Sequence, residues 1–430
     1  MKNRLIIVPH YIGSLKYLEK LLPELDKKYD IYFLPKWLFL NRLLNNFSDT
    51  AKSEMEIYLE EKKYKYYNIP DVVVNKWFRF MPFYFFIKSI FIYRREINKI
   101  LKDKNIKKII SVSDNNIFVG YLFKRAKSLD IETFVIQWAL SYPTQRIDGR
   151  LPLGSQGFLR MGVYLIHKYL RKFIIKIILI FFLGEDFTRV NGKTIASGPS
   201  QKFGVINKMA YEYFSSRGIK KDKMAIVGYL DFYFAERVKK EFDTNSDLKI
   251  KIANKYNINL NKKNITLYSS PLNTIPSILN DQEQREYVEK IIKTIRKILN
   301  EKDYDILFKI HPSEDINLYK GLENNGVKIY DKGVDNNKLI YFSDLHIGSN
   351  STTSFIPMVM KKDIIFLNLF KLSGVEGARE YLLINQYIHS FEDFEKCLQE
   401  FRLNKLKKQY KESNDLLIND SLSKIINWIN

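Results

Sequence analysis

The stretch Ile306-Leu307-Phe308-Lys309-Ile310-His311-Pro312-Ser313 is a short, mostly apolar run that stops at a histidine and a proline. It is too short for a globular helix and carries no helical periodicity, so it reads as a buried strand. Pro312 fixes the turn and forces the preceding residue out of the strand, which aims His311 outward at the strand's carboxyl end. The same pattern recurs on both sides. Residues 265–268, 327–330, 345–347 and 364–367 read as strands, with helices between them at 281–300, 336–342 and 353–360. Upstream, 4–8 is a strand, 14–29 a helix and 30–34 a strand; 106–112, 116–128 and 132–136 repeat the order. So do 193–196, 200–217 and 224–227. Strand and helix in regular alternation predict parallel sheets flanked by helices, an α/β class. A charged, weakly apolar stretch at 241–261 divides the alternation in two. The expectation is two doubly wound lobes with a cleft between them, 1–240 and 241–410. A last segment, 411–430, carries a helix over 415–429 that packs back toward the first lobe.

Length agrees. A chain of 430 residues exceeds what one ordinary core covers, and two domains of about 200 residues are the expected division. The single cysteine, Cys397, excludes an internal disulfide framework and fits a reducing compartment. The apolar run at 5–8 is too short for a secretory signal and ends at Pro9-His10. The net charge of +22 calls for an anionic partner: nucleic acid, a membrane face or a phosphorylated substrate. No zinc-finger spacing, RNP-type aromatic motif or basic zipper is present, which sets nucleic acid aside.

Two segments favour the membrane surface. Residues 76–88 are aromatic and apolar and lead to Arg94-Arg95; residues 163–183 carry Lys168, Lys172 and Lys176 at helical spacing beside Arg171. Neither is a span, which needs about 20 mostly apolar residues. Cationic, aromatic helices lie in the interface plane; a core helix with one solvated face is the plainer alternative.

Ligands of such sheets bind beyond the carboxyl ends of the strands, and four loops there carry candidate chemistry. The first is His311-Pro312, with Lys309 adding charge; a turn histidine without a role is the plain alternative. The second is Gly348-Ser349-Asn350-Ser351-Thr352-Thr353-Ser354, where five of the six residues from Ser349 bear hydroxyls. A cap needs one hydroxyl, so this density points to an anion site at a helix start. The third is Ser197-Gly198-Pro199-Ser200, followed by Phe203, Lys208, Gly218-Ile219, Lys223 and Val227-Gly228 through Asp231, read as strand, helix, strand. The fourth combines Pro9-His10-Tyr11-Ile12-Gly13-Ser14 with Ser113-Asp114-Asn115-Asn116, where Asp114 is either a catalytic group or a helix cap.

In identity, order and spacing, His311-Pro312 and Ser349 to Thr353 resemble a superfamily of GT-B enzymes. It includes bacterial polysialyltransferases, capsule Kdo transferases and CDP-glycerol glycerophosphotransferases. Residues 198–231 are similar to the hinge-side pattern that these share with UDP-GlcNAc 2-epimerases. The resemblance spans roughly residues 107–367, and the first hundred or so resemble nothing nameable. Gln137-Trp138-Ala139 stands where many relatives have Gln-His-Gly, which removes any role for a histidine there.

The resemblance implies a fold of two Rossmann-like lobes and a set of donor contacts. His311, Pro312 and Lys309 would meet the nucleotide, and Gly348, Ser349, Asn350, Ser351, Thr352 and Thr353 its phosphates. Gly198, Ser200 and, at the ribose, Glu376 complete the nucleotide-donor set. The catalytic base would come from the first lobe, Asp114 or His10, because an acceptor hydroxyl must lose a proton as it attacks. No metal and no cofactor are expected. The triplet Asp303-Tyr304-Asp305 precedes the strand and lies at its amino end, away from the donor. The expected activity is glycosyl transfer from a nucleotide-activated sugar, CMP-linked sugars among the options, to a surface-polysaccharide or lipid-linked glycan. Polyol-phosphate transfer of the CDP-glycerol kind and a non-catalytic nucleotide- or glycan-binding protein remain alternatives; a sugar epimerase is a weaker one. The expected place is cytoplasmic, peripheral on the inner face of the cell membrane, in capsule or related polysaccharide assembly.

Overall fold

The computed structural model describes residues 2–35, 54–69, 82–114, 117–138, 180, 196–270, 272, 278–311, 314–331, 333–348, 352–371, 384–410, 418 and 420–430. These fall into two compact units. The first takes in the described residues of Met1–Trp138, Arg146–Tyr229 and Asp420–Asn430, and the second those of Leu230–Asn419. The division comes at Tyr229, ahead of the charged stretch at 241–261, because helices Leu230–Thr244 and Ser246–Lys255 pack with the second unit. Phe242, Ile252 and Ala253 share a buried cluster there with Leu307, Leu339 and Phe342.

In the first unit the described strands are β1 (Asn3–Val8), β2 (Tyr29–Phe33), β3 (Ile106–Ser111), β4 (Glu132–Ile136), β5 (Lys202–Val205) and β6 (Met224–Ile226). They form one sheet in the order β2-β1-β3-β4-β5-β6, and every pairing is parallel. In the second unit β7 (Lys263–Tyr268), β8 (Tyr304–Lys309), β9 (Val327–Tyr330), β10 (Leu345–Gly348) and β11 (Asp363–Phe366) order as β11-β10-β7-β8-β9, again all parallel. All six residues of β8 are buried, as expected of a central strand covered on both faces. Helix Asp281–Ile298 buries Val288, Ile291, Ile292, Ile295 and Ile298, one stripe at helical spacing. That stripe packs on Ile265, Ile306 and Phe308, with Phe394 and Leu398 of helix Phe391–Arg402 in the same core. Each such side chain contributes roughly 1.5–3 kcal/mol on burial.

Lys202 to Val205, expected inside a helix over 200–217, is the strand β5, and the helix starts only at Lys208. Asn207 ends the strand by capping that helix, accepting from the Ala210 amide at 2.8 Å. Gly204 belongs in β5 because the sheet is crowded there: a Cβ would come within 2.7 Å of a Val227 methyl and 3.1 Å of the Trp428 ring. Trp428 sits on the last helix, Ser421–Ile429, and meets Phe134 of β4 edge-on at 5.0 Å. Lys108 donates to the Ile429 carbonyl and pairs with Glu132 at 2.7 Å, pinning the same helix to the first unit.

Strand order locates the places where a ligand can enter. In the first sheet the chain goes from β1 to β2 on one side and returns to β3 on the other; in the second it runs β7-β8-β9 and returns to β10. The topological switch points therefore lie between β1 and β3 and between β7 and β10. In open parallel sheets the crevice beyond such points is where ligands bind.

Candidate functional site

At the first switch point β1 and β3 end side by side, Val8 opposite Ser111. His10 follows β1. Ser14 holds its loop, the hydroxyl accepting from the His10 and Tyr11 amides at 2.8 and 3.1 Å and donating to the Tyr11 carbonyl at 2.8 Å. The His10 ring lies with Nε2 3.2 Å from the Ser111 hydroxyl and is only 8% exposed. Burial lowers its pKa to about 4, against smaller opposing effects from the Ser113 backbone and Asp114. It is therefore neutral at pH 7, the form a base requires, though a weak base at that pKa.

Asp114 follows β3 at its carboxyl end, as expected. It is fully buried. One carboxylate oxygen accepts from the Gly198 amide at 3.1 Å; the other accepts from the Ser200 amide at 3.0 Å and from the Ser200 hydroxyl. The Lys223 ammonium stands 3.6 Å away and donates to the Ala196 and Gly198 carbonyls at 2.6 and 3.0 Å. In the structure Asp114, expected as a base, and Gly198 and Ser200, expected as donor ligands, bond to one another. The anion held by this loop is the protein's own carboxylate, and its amides and hydroxyl are spent on it. Gly198 is required there, since a Cβ would fall 2.5 Å from the Asp114 carbonyl oxygen.

One strand beyond the second switch point, His311 follows β8 and is partly buried. Its amide donates to the Ser269 hydroxyl at 2.6 Å and to Glu314 at 3.2 Å. Ser269 and Tyr319 both donate to the Glu314 carboxylate, and Gln284 donates to it at 3.1 Å. The His-Pro turn is thus latched to the end of β7 through Glu314. Burial, and then the nearby Lys309 charge, lower the His311 pKa. Lys309 itself is 5% exposed and donates to the Asp331 carbonyl, so its ammonium serves the turn and the field on His311. Ser269 and Glu314 were not singled out from sequence; the short spacing His311-x-x-Glu314 was the available signal.

β10 ends at Gly348 beside β7. Ser354, 2% exposed, has its hydroxyl 2.5 Å from where a Gly348 Cβ would be. Among the described residues that hydroxyl finds no hydrogen-bond partner, and neither does Asn336 Oδ1, whose amide nitrogen lies 3.4 Å from the Thr353 hydroxyl. Buried polar atoms without partners cost about 1–3 kcal/mol each, and here they border the hydroxyl-rich loop. The helix expected at 353–360 is two short pieces, Thr352–Phe355 and Ile356–Val359. Pro312, Ser349, Asn350, Ser351 and Glu376, and the side chain of Thr352, lie outside the described residues.

Asp303-Tyr304-Asp305 sits at the amino end of β8, and Asp305 is bonded to Lys328 and Lys262 at 2.7 and 3.2 Å. Burial alone would raise its pKa, but these two bonds outweigh it and hold the carboxylate low. Among the described residues no group of three potential metal ligands occurs.

No protein-family model matches the chain, and no curated protein does. Solved structures do. The UDP-GlcNAc 2-epimerase of Methanocaldococcus jannaschii is 16% identical over 99% of both chains, with a TM-score of 0.55. The enzyme of that name from Neisseria meningitidis, bound to UDP-GlcNAc, is 12% identical over 99% of both chains at 0.56. A variant of the wall teichoic acid polymerase TagF is 14% identical over 99% of this chain and 88% of its own, at 0.52. The chain has the GT-B fold. In GT-B terms the first unit, with β1 to β6, and the second, with β7 to β11, are the two Rossmann-like lobes; His10 stands at the first sheet's switch point and His311 at the carboxyl end of β8, next to β7.

On helix Pro82–Ile100, Ile90, Tyr93 and Ile97 are buried while Lys88, Phe91, Arg94 and Arg95 are exposed. Tyr93 packs edge-on against Phe118 of helix Ile117–Lys127 at 4.6 Å. The plain reading of a core face is therefore realised on one side of the helix, and a cationic, aromatic face remains on the other. Of 163–183 only Ile180 is described. Among the described residues no helix is long and apolar enough to cross a membrane.

Proposed function

We propose that this chain is a glycosyltransferase that moves a sugar from a nucleotide-activated donor to a surface-polysaccharide or lipid-linked glycan, without a metal ion. The observation that carries the reading is the carboxyl edge of the second sheet on either side of β7. A histidine latched by Glu314 and Ser269 stands across β7 from Gly348, Asn336 and Ser354, where buried polar atoms await a partner. A nucleotide diphosphate or monophosphate supplies such partners: His311 donates to a phosphate or base, and the hydroxyls and amides of 349–354 take the phosphate oxygens. Those groups would also stabilise the leaving phosphate as its charge develops.

His10 is the proposed base. Its neutral imidazole stands at the first sheet's switch point, and such a group typically contributes 10²–10⁴-fold in rate. Acceptors on lipid carriers fit a protein that rests on an anionic bilayer through the outer face of helix Pro82–Ile100, with 163–183 as a second contact. The test is product analysis with a panel of CMP-, UDP- and GDP-sugars and CDP-glycerol. Transfer of a sugar supports the reading; transfer of glycerol phosphate alone replaces it with polyol-phosphate transfer. Loss of at least 10²-fold in turnover with donor binding retained is expected of His10→Ala. Near wild-type turnover in that variant removes the base from this edge.

A further inference from the structure

Four aromatic rings stand together at the carboxyl edge of the first sheet. Tyr11 follows β1, Tyr17 lies on the helix after it, Trp138 follows β4 and Tyr229 follows β6. Tyr11 meets Trp138 edge-on with centroids 4.9 Å apart. Tyr17 lies against Trp138 at 6.4 Å and against Tyr229 at 5.4 Å. Backbone bonds fix the group: the Tyr229 hydroxyl donates to the Trp138 carbonyl at 2.6 Å and the Tyr17 hydroxyl to the Gln137 carbonyl at 3.3 Å. Tyr17 and Tyr229 are 3% and 1% exposed, yet Tyr11 is 45% exposed. One large ring is therefore left open to solvent on a rigid aromatic support.

Gln137, beside Trp138, is fully buried; its Oε1 accepts from the Ile206 amide at 3.1 Å, while its Nε2 finds no partner among the described residues. A buried amide nitrogen left unpaired costs about 1–3 kcal/mol, and a ligand oxygen would satisfy it. His10 precedes Tyr11 in the chain. A neutral donor next to Trp138 in the chain, an aromatic face, and an imidazole next to Tyr11 in the chain suit a molecule with an apolar C–H face and hydroxyl oxygens, which is a pyranose.

We propose that Tyr11, supported by Trp138, is the platform for the terminal pyranose of the acceptor, with the Gln137 side-chain amide donating to one of its oxygens. The proposal rests on the transferase reading and deepens it. A linear polyol phosphate has no C–H face to stack, so this edge selects a glycan.

Saturation-transfer NMR on the full chain, with methyl galactoside, methyl N-acetylglucosaminide, methyl sialoside and glycerol 3-phosphate as probes, tests it. At least one pyranoside is expected to bind, with Tyr11→Ala weakening it at least tenfold and Tyr11→Phe retaining it. Circular dichroism on each variant checks the fold. No pyranoside binding, or binding indifferent to Tyr11→Ala, overturns the platform, as does a preference for glycerol 3-phosphate. Nucleotide binding followed in parallel separates the two claims. Nucleotide bound without pyranoside sinks the platform alone, and Tyr11-dependent pyranoside binding without nucleotide sinks the transferase reading instead.

Discussion

Asp114 and His10 lie near each other in the first sheet and answer to opposite physics. Asp114 is a buried charge satisfied by three hydrogen bonds and a lysine. Removing one partner of such a pair typically costs 3–5 kcal/mol, because the other charge stays buried. Asp114→Asn is therefore expected to destabilise the first unit by about 3 kcal/mol in urea unfolding, and Gly198→Ala to do likewise by driving a Cβ into Asp114. A silent Asp114→Asn would show that the clamp does not hold the loop. His10 is buried neutral, its pKa lowered by burial from 6.5 to about 4. Below pH 6.5 the unfolded chain takes up a proton that the folded chain refuses. Its part of the stability is whole above pH 6.5 and is lost as pH falls toward 4, roughly 3 kcal/mol across that window. His10→Asn should flatten this loss in unfolding curves measured from pH 7 to 4; an unchanged slope would mean that the ring titrates normally.

At the scale of elements, strands and long helices were legible because their signals are local. The stripe of Asp281–Ile298 and the apolar run of β8 state their period directly. β5 was not legible. Its four residues include a glycine, and the reason for that glycine is Trp428, more than 200 positions away. The partners of Asp114 were hidden in the same way, 84 and 86 positions along the chain. Switch points are a property of strand order, which no single element encodes. Helix Pro82–Ile100 carries a prediction of its own. The chain should float with anionic liposomes at low salt and release as salt screens the contact. The double change Phe91→Asp with Arg94→Glu, on the exposed face, should abolish flotation, with circular dichroism checking that the fold is kept. Flotation unaffected by the change would place the contact elsewhere.

For the whole molecule, the two-lobed α/β fold followed from alternation alone, and His311 and Gly348 fall at the ends of the strands expected of them. What distance along the chain concealed was the division of labour among polar groups: which anchor loops, as Asp114 and Glu314 do, and which remain for a ligand. The account stands on nucleotide binding by the second lobe, and thermal denaturation with CMP, CDP, UDP and GDP measures it. A nucleotide at 100 times its dissociation constant adds about 2.7 kcal/mol of stability. At least one of the four should raise the melting temperature of the wild-type chain, and His311→Ala should weaken that nucleotide by about 1.5–3 kcal/mol, the worth of one charge-assisted contact. A wild-type chain indifferent to all four, or a nucleotide bound equally well without His311, would contradict it.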